Sequence, residues 1–590
     1  MGKKSRLVRF HAWRLKNVNH RQFVLVLSAL VGLAAGLGAA VLKNLVHLIQ
    51  RALNSGIVME FNYLHFIYPL IGISLAVLFL KYGIRQKVGH GIPAVLYAIS
   101  KRSSIMKRHN MFSSVISSAL TVGFGGSAGL EGPTVATGSS FGSNIGQLLR
   151  VNYKTVTLLL GCGAAGAMAA IFNAPIAAIV FALEVIMLDL TLSSLVPLLV
   201  ASVTAALTSH LLIGDEVLFH IELRDAFQFN DVIYFIALGI ITGLVSFYFI
   251  KIYWLISDFF EKIENVWKRL LFGGGILGIL IFFIPPLYGE GYKTIHSLLA
   301  GNTAKIFEGS PMYQYSDNIY MVLLMIAFML LIKVVATSVT FGAGGIGGVF
   351  APTLFVGSAV GFVFSKSINT FGLGTLSETN FTLVGMCGMI AGVLHAPLTA
   401  IFLIAEITSG YELFLPLMIT GTISFITMRT FVPHSVYTMQ LAKRGELITH
   451  HKDSAVLTLM SLRSEVEKDF STVAEGSSLR DLVKIVAKAR RNLFPVLDEH
   501  QKLLGVINLD DIREIMFKQE MYDEVKVESL MILPPALVSP SDHMDKVMKT
   551  FEQTGAWNLP VCKDEKYIGF ISKSKLFSAY RKILLAQSEH

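Results

Sequence analysis

The front part of this 590-residue chain is a series of apolar stretches broken by glycine and proline, and the breaks occur twice. Gly161–Val185 reads GCGAAGAMAAIFNAPIAAIVFALEV, and Gly385–Ile407 reads GMCGMIAGVLHAPLTAIFLIAEI. Aligned on Pro175 and Pro397, they share two glycine pairs, Gly163 with Gly385 and Gly166 with Gly388. They also share an acid nine residues after the proline, Glu184 and Glu406. A second pair, Gly125–Gly138 and Gly344–Gly357, aligns on Pro133 and Pro352. The two offsets, 222 and 219 residues, are nearly one register, which chance similarity of apolar sequence would not hold. Irregular backbone at membrane depth is tolerated only inside protein or along a polar cavity. Two halves with corresponding broken segments therefore point to a site at their interface, near the bilayer midplane. The sequence leaves inverted and parallel repeats both open.

Charge divides the chain. From Thr449 onward, 142 residues carry 20 Lys+Arg and 21 Asp+Glu, the proportion of an ordinary soluble domain. The preceding 448 residues hold only 49 of the 90 charges, and they carry all of the positive excess. The basic balance is thus a membrane-topology signal, and no basic stripe in the tail suggests nucleic-acid binding. Mean hydropathy of +0.60 excludes a soluble enzyme of ordinary composition, and no nucleophile–base constellation is evident. Lys3, Lys4, Arg6, Arg9, Arg14, Lys16 and Arg21 crowd the first 22 residues without an acid, which places that segment in the cytoplasm. Apolar sequence continuing through Phe23–Leu48 without a small-residue cleavage site argues against a signal peptide. Cys162, Cys387 and Cys562 form neither a disulfide framework nor a zinc site, and no metal is expected.

Three segments carry chemistry. In GGSAGLEGP, glycines and a proline just before an apolar helix leave backbone N–H groups free to attract an anion. Glu131 within it is a tethered anion that can occupy the place of a free one; the plain alternative is a helix-starting acid at an interface. GGIGGVFAP is its repeat mate, with Phe350 where Glu131 stands. Two helix starts aimed at one place would bind an anion without a full positive charge, so the ion could also leave. Close glycine packing between helices would explain the glycines but not the repeat. Gly89-His90-Gly91-Ile92-Pro93 has the same character, with His90 either a solvent-facing turn residue or a titratable group at a pore.

GHGIP, GLEGP, GVFAP and the late tyrosine of HSVYTMQLAKRG, in that order, resemble the CLC family of chloride channels and proton-coupled chloride antiporters across residues 23–445. The resemblance implies an all-α polytopic membrane domain with two inverted repeats of broken, tilted helices. It also implies a homodimer in the lipid bilayer of the plasma membrane, with one chloride pore per subunit. Glu131 then matches the gating glutamate. His90, Gly91, Ile92, Gly132, Val349, Phe350 and Tyr437 fall at the anion-binding positions, the tyrosine through its hydroxyl. Three departures stand out. His90 replaces the selectivity serine, Leu130 replaces an arginine, and Val185 stands where antiporters keep an inner carboxylate. The last favours a passive channel over the alternative, a proton-coupled antiporter. Glu184 is expected to make a structural cap, and as an intramembrane acid it is also a candidate proton relay.

Residues 446–590 repeat as well. Leu493–Ile512 and Asn558–Phe577 each read as strand, turn, strand and helix start, and resemble a pair of α/β CBS modules at about 455–520 and 528–586. Such modules often bind adenine nucleotides such as ATP or AMP, and the resemblance makes Asn508, Asp511 and Ser572 the candidate contacts. Asn508 and Lys575 depart from the pattern, so a purely structural, dimer-stabilising tail is the competing reading. No cofactor is expected to be required. Two rivals to anion transport are a membrane-anchored CBS sensor and a CBS-regulated cation channel. The first does not need repeated broken helices, and the second wants rings of exposed acids.

Overall fold

The computed structural model describes residues 14, 16–54, 66–85, 91–186, 192–214, 227–308, 310–408, 410–443 and 460–588. His90 lies outside them. The chain divides into two compact units, Met1–Lys443 and Arg444–His590.

The first unit is helical. Eight of its helices among the described residues are long and apolar enough to cross a membrane, from the 35-residue His20–Asn54 helix to Phe414–Phe431. The protein is therefore a multi-pass membrane protein. Other helices are too short to span alone, including Pro175–Glu184 and Pro397–Ile407. Each of these follows a helix that ends on a left-handed residue, Asn173 at φ 52° and His395 at φ 55°, and each starts on a proline. Proline tolerates this first-turn position because the N–H it lacks would have no helical partner there.

The two halves interlock symmetrically. The Glu131–Leu148 helix lies on Tyr153–Phe172 so closely that a Cβ at Gly163 would collide with the Gly138 carbonyl, and one at Gly142 with the Leu159 carbonyl. In the second half, the Phe350–Thr370 helix lies on Glu378–Leu394 in the same way. There Gly385 meets the Gly357 carbonyl and Gly361 meets that of Phe381. Small residues let helix backbones touch where lipid removes any hydrophobic drive to associate. The glycines are thus close-packing devices, and the repeat places them identically in both halves. The repeats are inverted.

In the tail, Leu493–Leu497 pairs antiparallel with Leu503–Asn508, and Val473–Ala474 adds a short parallel strand. Asn558–Lys563 pairs antiparallel with Lys566–Ser572 in a second sheet. The two modules exchange edges. Glu467, ahead of the first module's strands, exchanges two backbone hydrogen bonds with Phe570 of the second, and Ile532 does the same with Val506 of the first. Met460 and Leu462 pack into the core of the second module, with Val547, Phe551 and Leu559.

Candidate functional site

The two glycine-rich loops meet and hydrogen-bond to each other. Gly129 N–H donates to the Gly348 carbonyl at 2.8 Å, and Gly348 N–H to the Gly129 carbonyl at 2.7 Å. Flanking contacts are reciprocal too. Ile346 N–H donates to the Thr121 hydroxyl and Ser127 N–H to the Thr340 hydroxyl, each at 3.1 Å. When residue i of one copy meets residue j of the other, and their mates meet likewise, a local two-fold axis relates the copies.

From this joint the Glu131–Leu148 and Phe350–Thr370 helices depart. Their N-caps are Leu130 and Val349, and neither helix has a side-chain cap. Some other helices of the membrane unit do carry a side-chain cap, though several do not. Asn152, Asn265, Asn318 and Ser377 each accept a first-turn N–H. The first turn of a helix leaves N–H groups without intrahelical partners. Leaving both central helix starts without a polar cap keeps those donors for something else, and the helix dipoles favour an anion.

Five of the expected anion-binding residues, Gly91, Ile92, Gly132, Val349 and Tyr437, line one cavity. The Gly91–Lys101 helix starts there as well, three residues ahead of the start at Ala94 that the sequence suggests. Tyr437 is buried, and its hydroxyl has no hydrogen-bond partner among the described residues. An orphaned buried hydroxyl is costly, so a cavity lined by one is suited to a polar ligand. Phe350 is fully buried and packs on Phe172, with ring centroids 5.2 Å apart. Tyr253 and Phe341 also line the cavity, and sequence reasoning missed both. Tyr253 sits within an apolar helix with no local signal to distinguish it from core, and Phe341 lies at the end of the Ile319–Gly342 helix just ahead of the glycine-rich loop.

Glu131 is completely buried beside the cavity. Its Oε1 accepts the Tyr292 hydroxyl at 2.6 Å. Its Oε2 lies against the glycine joint, where a Cβ on Gly129 would strike it. The sequence reading also missed Tyr292, whose GEGY setting showed only a turn.

Glu184 is the last residue of the Pro175–Glu184 helix, and it caps the Pro397–Ile407 helix. Its carboxylate accepts Leu398 N–H at 3.2 Å, Thr399 N–H at 2.8 Å and the Thr399 hydroxyl at 2.7 Å. Glu406 returns the contact, accepting Ile176 N–H at 3.0 Å and Ala177 N–H at 2.7 Å. Val185 is buried just past this helix.

In the tail, Ser572 is buried while Asn508 and Asp511 are exposed. The Ser572 hydroxyl donates to Glu467, whose other oxygen pairs with Arg491.

Interlocked halves with broken helices that start at one buried cavity define a membrane transport protein of the repeat-built kind. The chain belongs to the voltage-gated chloride channel family, whose model matches residues 71–429. The CBS domain model matches residues 463–518 and 527–582. The chain is 28% identical to a putative chloride channel protein, ClcB-like, of Ralstonia nicotianae, over 72% of this chain and 97% of that one. It is 29% identical to the H(+)/Cl(−) exchange transporter ClcA of Vibrio cholerae, over 71% of this chain and 89% of the relative. The crystal structure of a slow cyanobacterial Cl−/H+ antiporter shares the fold, with a TM-score of 0.61 at 23% identity, over 72% of this chain and 99% of that one.

Proposed function

We propose that this protein carries chloride across a membrane in exchange for protons. The observation that carries the anion half is the cavity itself, with uncapped helix starts at Leu130 and Val349 beside it and the unpartnered Tyr437 hydroxyl in its wall. An anion there gains N–H and O–H donors without a fixed cation to trap it. Glu131 neighbours that cavity as a carboxylate on the chain. Ionised, it competes with chloride for the same donors; protonated, it has no charge to hold it there. Protonation of one group thereby governs access of the other ion. Kinship to the Vibrio cholerae exchanger supports coupling over the passive channel that Val185 suggests.

Passive conduction stays as the second reading, because of one observation. Glu184, the acid nearest the inner-carboxylate position, already accepts three hydrogen bonds. Taking up a proton there costs part of a helix cap.

The same reading makes the protein a homodimer with a pore in each subunit, in the plasma membrane, with the N-terminus and CBS pair in the cytoplasm. The CBS pair serves as a structural, dimer-stabilising tail; adenine nucleotide at Asn508 and Asp511 is the alternative.

Purified protein in proteoliposomes tests the proposal. An imposed chloride gradient should drive protons uphill. Chloride flux without proton movement would leave the channel reading, and no anion flux from a folded protein would end both.

A further inference from the structure

Tyr292 reaches Glu131 through a backbone arrangement that other residues enforce. It is the first residue of the Tyr292–Leu299 helix, and Gly291 before it sits at φ 88°. A side chain at Gly291 would be strained at that φ and would press on the ring of Phe355. The preceding turn is tied down from the Ile319–Gly342 helix. Lys333, fully buried there, donates through Nζ to the Gly289 carbonyl at 3.0 Å and the Leu287 carbonyl at 3.3 Å. Its Nζ also lies 4.8 Å from the centre of the Phe355 ring. A buried lysine spent on two loop carbonyls is an expensive way to hold a turn. What the turn delivers is one phenol, aimed at one carboxylate oxygen 2.6 Å away.

We propose that Tyr292 is a positioning residue that latches Glu131 in its buried pose, and that Lys333 is the clamp that presents it. This rests on the reading of Glu131 as the group that governs anion access. A short O–H···O bond to a carboxylate is among the stronger hydrogen bonds a protein makes. To leave, the Glu131 side chain must break it. The latch favours the ionised carboxylate and loosens as Glu131 takes up a proton. Other ionisable groups also act on Glu131. They are Glu290 in the loop before Tyr292, Lys43 on the His20–Asn54 helix, and Tyr437 across the cavity. Lys333 acts on Glu290. None of these groups changes in Tyr292→Phe, which removes one oxygen and keeps the ring.

The experiment is chloride flux against pH in proteoliposomes for wild type, Tyr292→Phe, Glu131→Gln and the double variant. Tyr292→Phe should raise flux at neutral pH roughly tenfold and flatten its rise toward acid. In the Glu131→Gln background the same change should add nothing, because the latch has lost its charged partner. Lys333→Met should move flux in the same direction as Tyr292→Phe. A wild-type profile for Tyr292→Phe, or an equal effect in both backgrounds, overturns the latch. So does failure of Tyr292→Phe to fold, which would make the hydroxyl structural. Wild-type vesicles without anion flux would overturn the transport reading and the latch with it, whereas flux with an unmoved profile overturns the latch alone.

Discussion

Glu184 Oε2 accepts two hydrogen bonds from Thr399, one from its backbone N–H at 2.8 Å and one from its hydroxyl at 2.7 Å. The last residue of one broken helix thus closes the first turn of its repeat mate, and Glu406 does the same in return for Ala177. Carboxylates at helix N-termini are favoured by the dipole and by the unpaired N–H groups there. Glu184→Gln and Glu406→Gln should therefore each cost about 1 kcal/mol, seen as similar losses of melting temperature in detergent. The pair is also a control for proton coupling. If Glu184 relays protons, only Glu184→Gln should abolish chloride-driven proton uptake. Equal, partial loss in both variants would assign Glu184 to the cap alone.

The glycines that join neighbouring helices should not tolerate even a methyl group. At Gly163 a Cβ would run into the Gly138 carbonyl, and at Gly385 it would lie 2.5 Å from that of Gly357. Backbone cannot swing aside as a flexible side chain can. Gly163→Ala and Gly385→Ala should each destabilise by about 1–3 kcal/mol, read as melting temperature and yield of folded protein. Gly275 is the contrast, lying mid-helix with nothing within 4 Å of its would-be Cβ. Gly275→Ala should be neutral or stabilise by about 0.5–1 kcal/mol, because the unfolded chain loses freedom.

Tyr437→Phe separates ligand binding from folding. The hydroxyl has no partner to lose among the described residues, so stability without chloride should stay within about 0.5 kcal/mol of wild type. Chloride affinity by calorimetry should fall roughly three- to tenfold, the worth of one hydrogen bond. Unchanged affinity would remove the phenol from the anion site.

The thiols give a pH prediction outside the membrane unit. Cys562 lies half-buried in the tail, and burial pushes its thiol above the usual range. The thiolate is the reactive form. Maleimide labelling of Cys562 should thus be slower at neutral pH than that of an exposed cysteine, and should keep accelerating through the range where an exposed thiol has levelled off. Cys162 and Cys387 are completely buried and should stay unlabelled in folded protein, as mapped by mass spectrometry.

Much of the membrane unit was legible because its constraints are local in sequence. Glycine and proline mark where helices break, and the repeat registers one half on the other. That was enough to bring Gly91, Gly132, Val349 and Tyr437 to one cavity. Tyr292 and Lys333 were not legible, because their meaning lies in partners far along the chain. Tyr292 bonds Glu131, 161 residues away, and Lys333 bonds Gly289, 44 away. A tyrosine after a turn and a lysine inside an apolar helix carry no local sign of such contacts. The channel preference drawn from Val185 is less well supported than the antiporter alternative, for a related reason. It treated one missing carboxylate as decisive, whereas kinship over the whole membrane unit includes a proton exchanger.

The tail bears on nucleotide regulation. Ser572 holds the serine position of the second module's Gly-x-x-Ser pattern, and its hydroxyl would be the natural ribose contact. That hydroxyl already donates to Glu467 Oε1 at 2.5 Å and accepts Lys575 N–H at 3.2 Å. Arg491 holds the other Glu467 oxygen, and its guanidinium stacks over Phe470, 5.3 Å from the ring centre. A carboxylate on the chain therefore occupies the donor a ribose would need, and its negative charge opposes a phosphate nearby. The first module keeps Asn508 and Asp511 exposed among the described residues. Millimolar ATP or AMP should accordingly leave the wild-type second module empty. Any rise in melting temperature should disappear in Asp511→Ala and persist in Ser572→Ala. Glu467→Ala removes the plug, and it should create or enlarge a nucleotide-dependent rise that Ser572→Ala then cancels. A wild-type shift abolished by Ser572→Ala alone would show that ribose displaces Glu467, and the plug would be a switch instead.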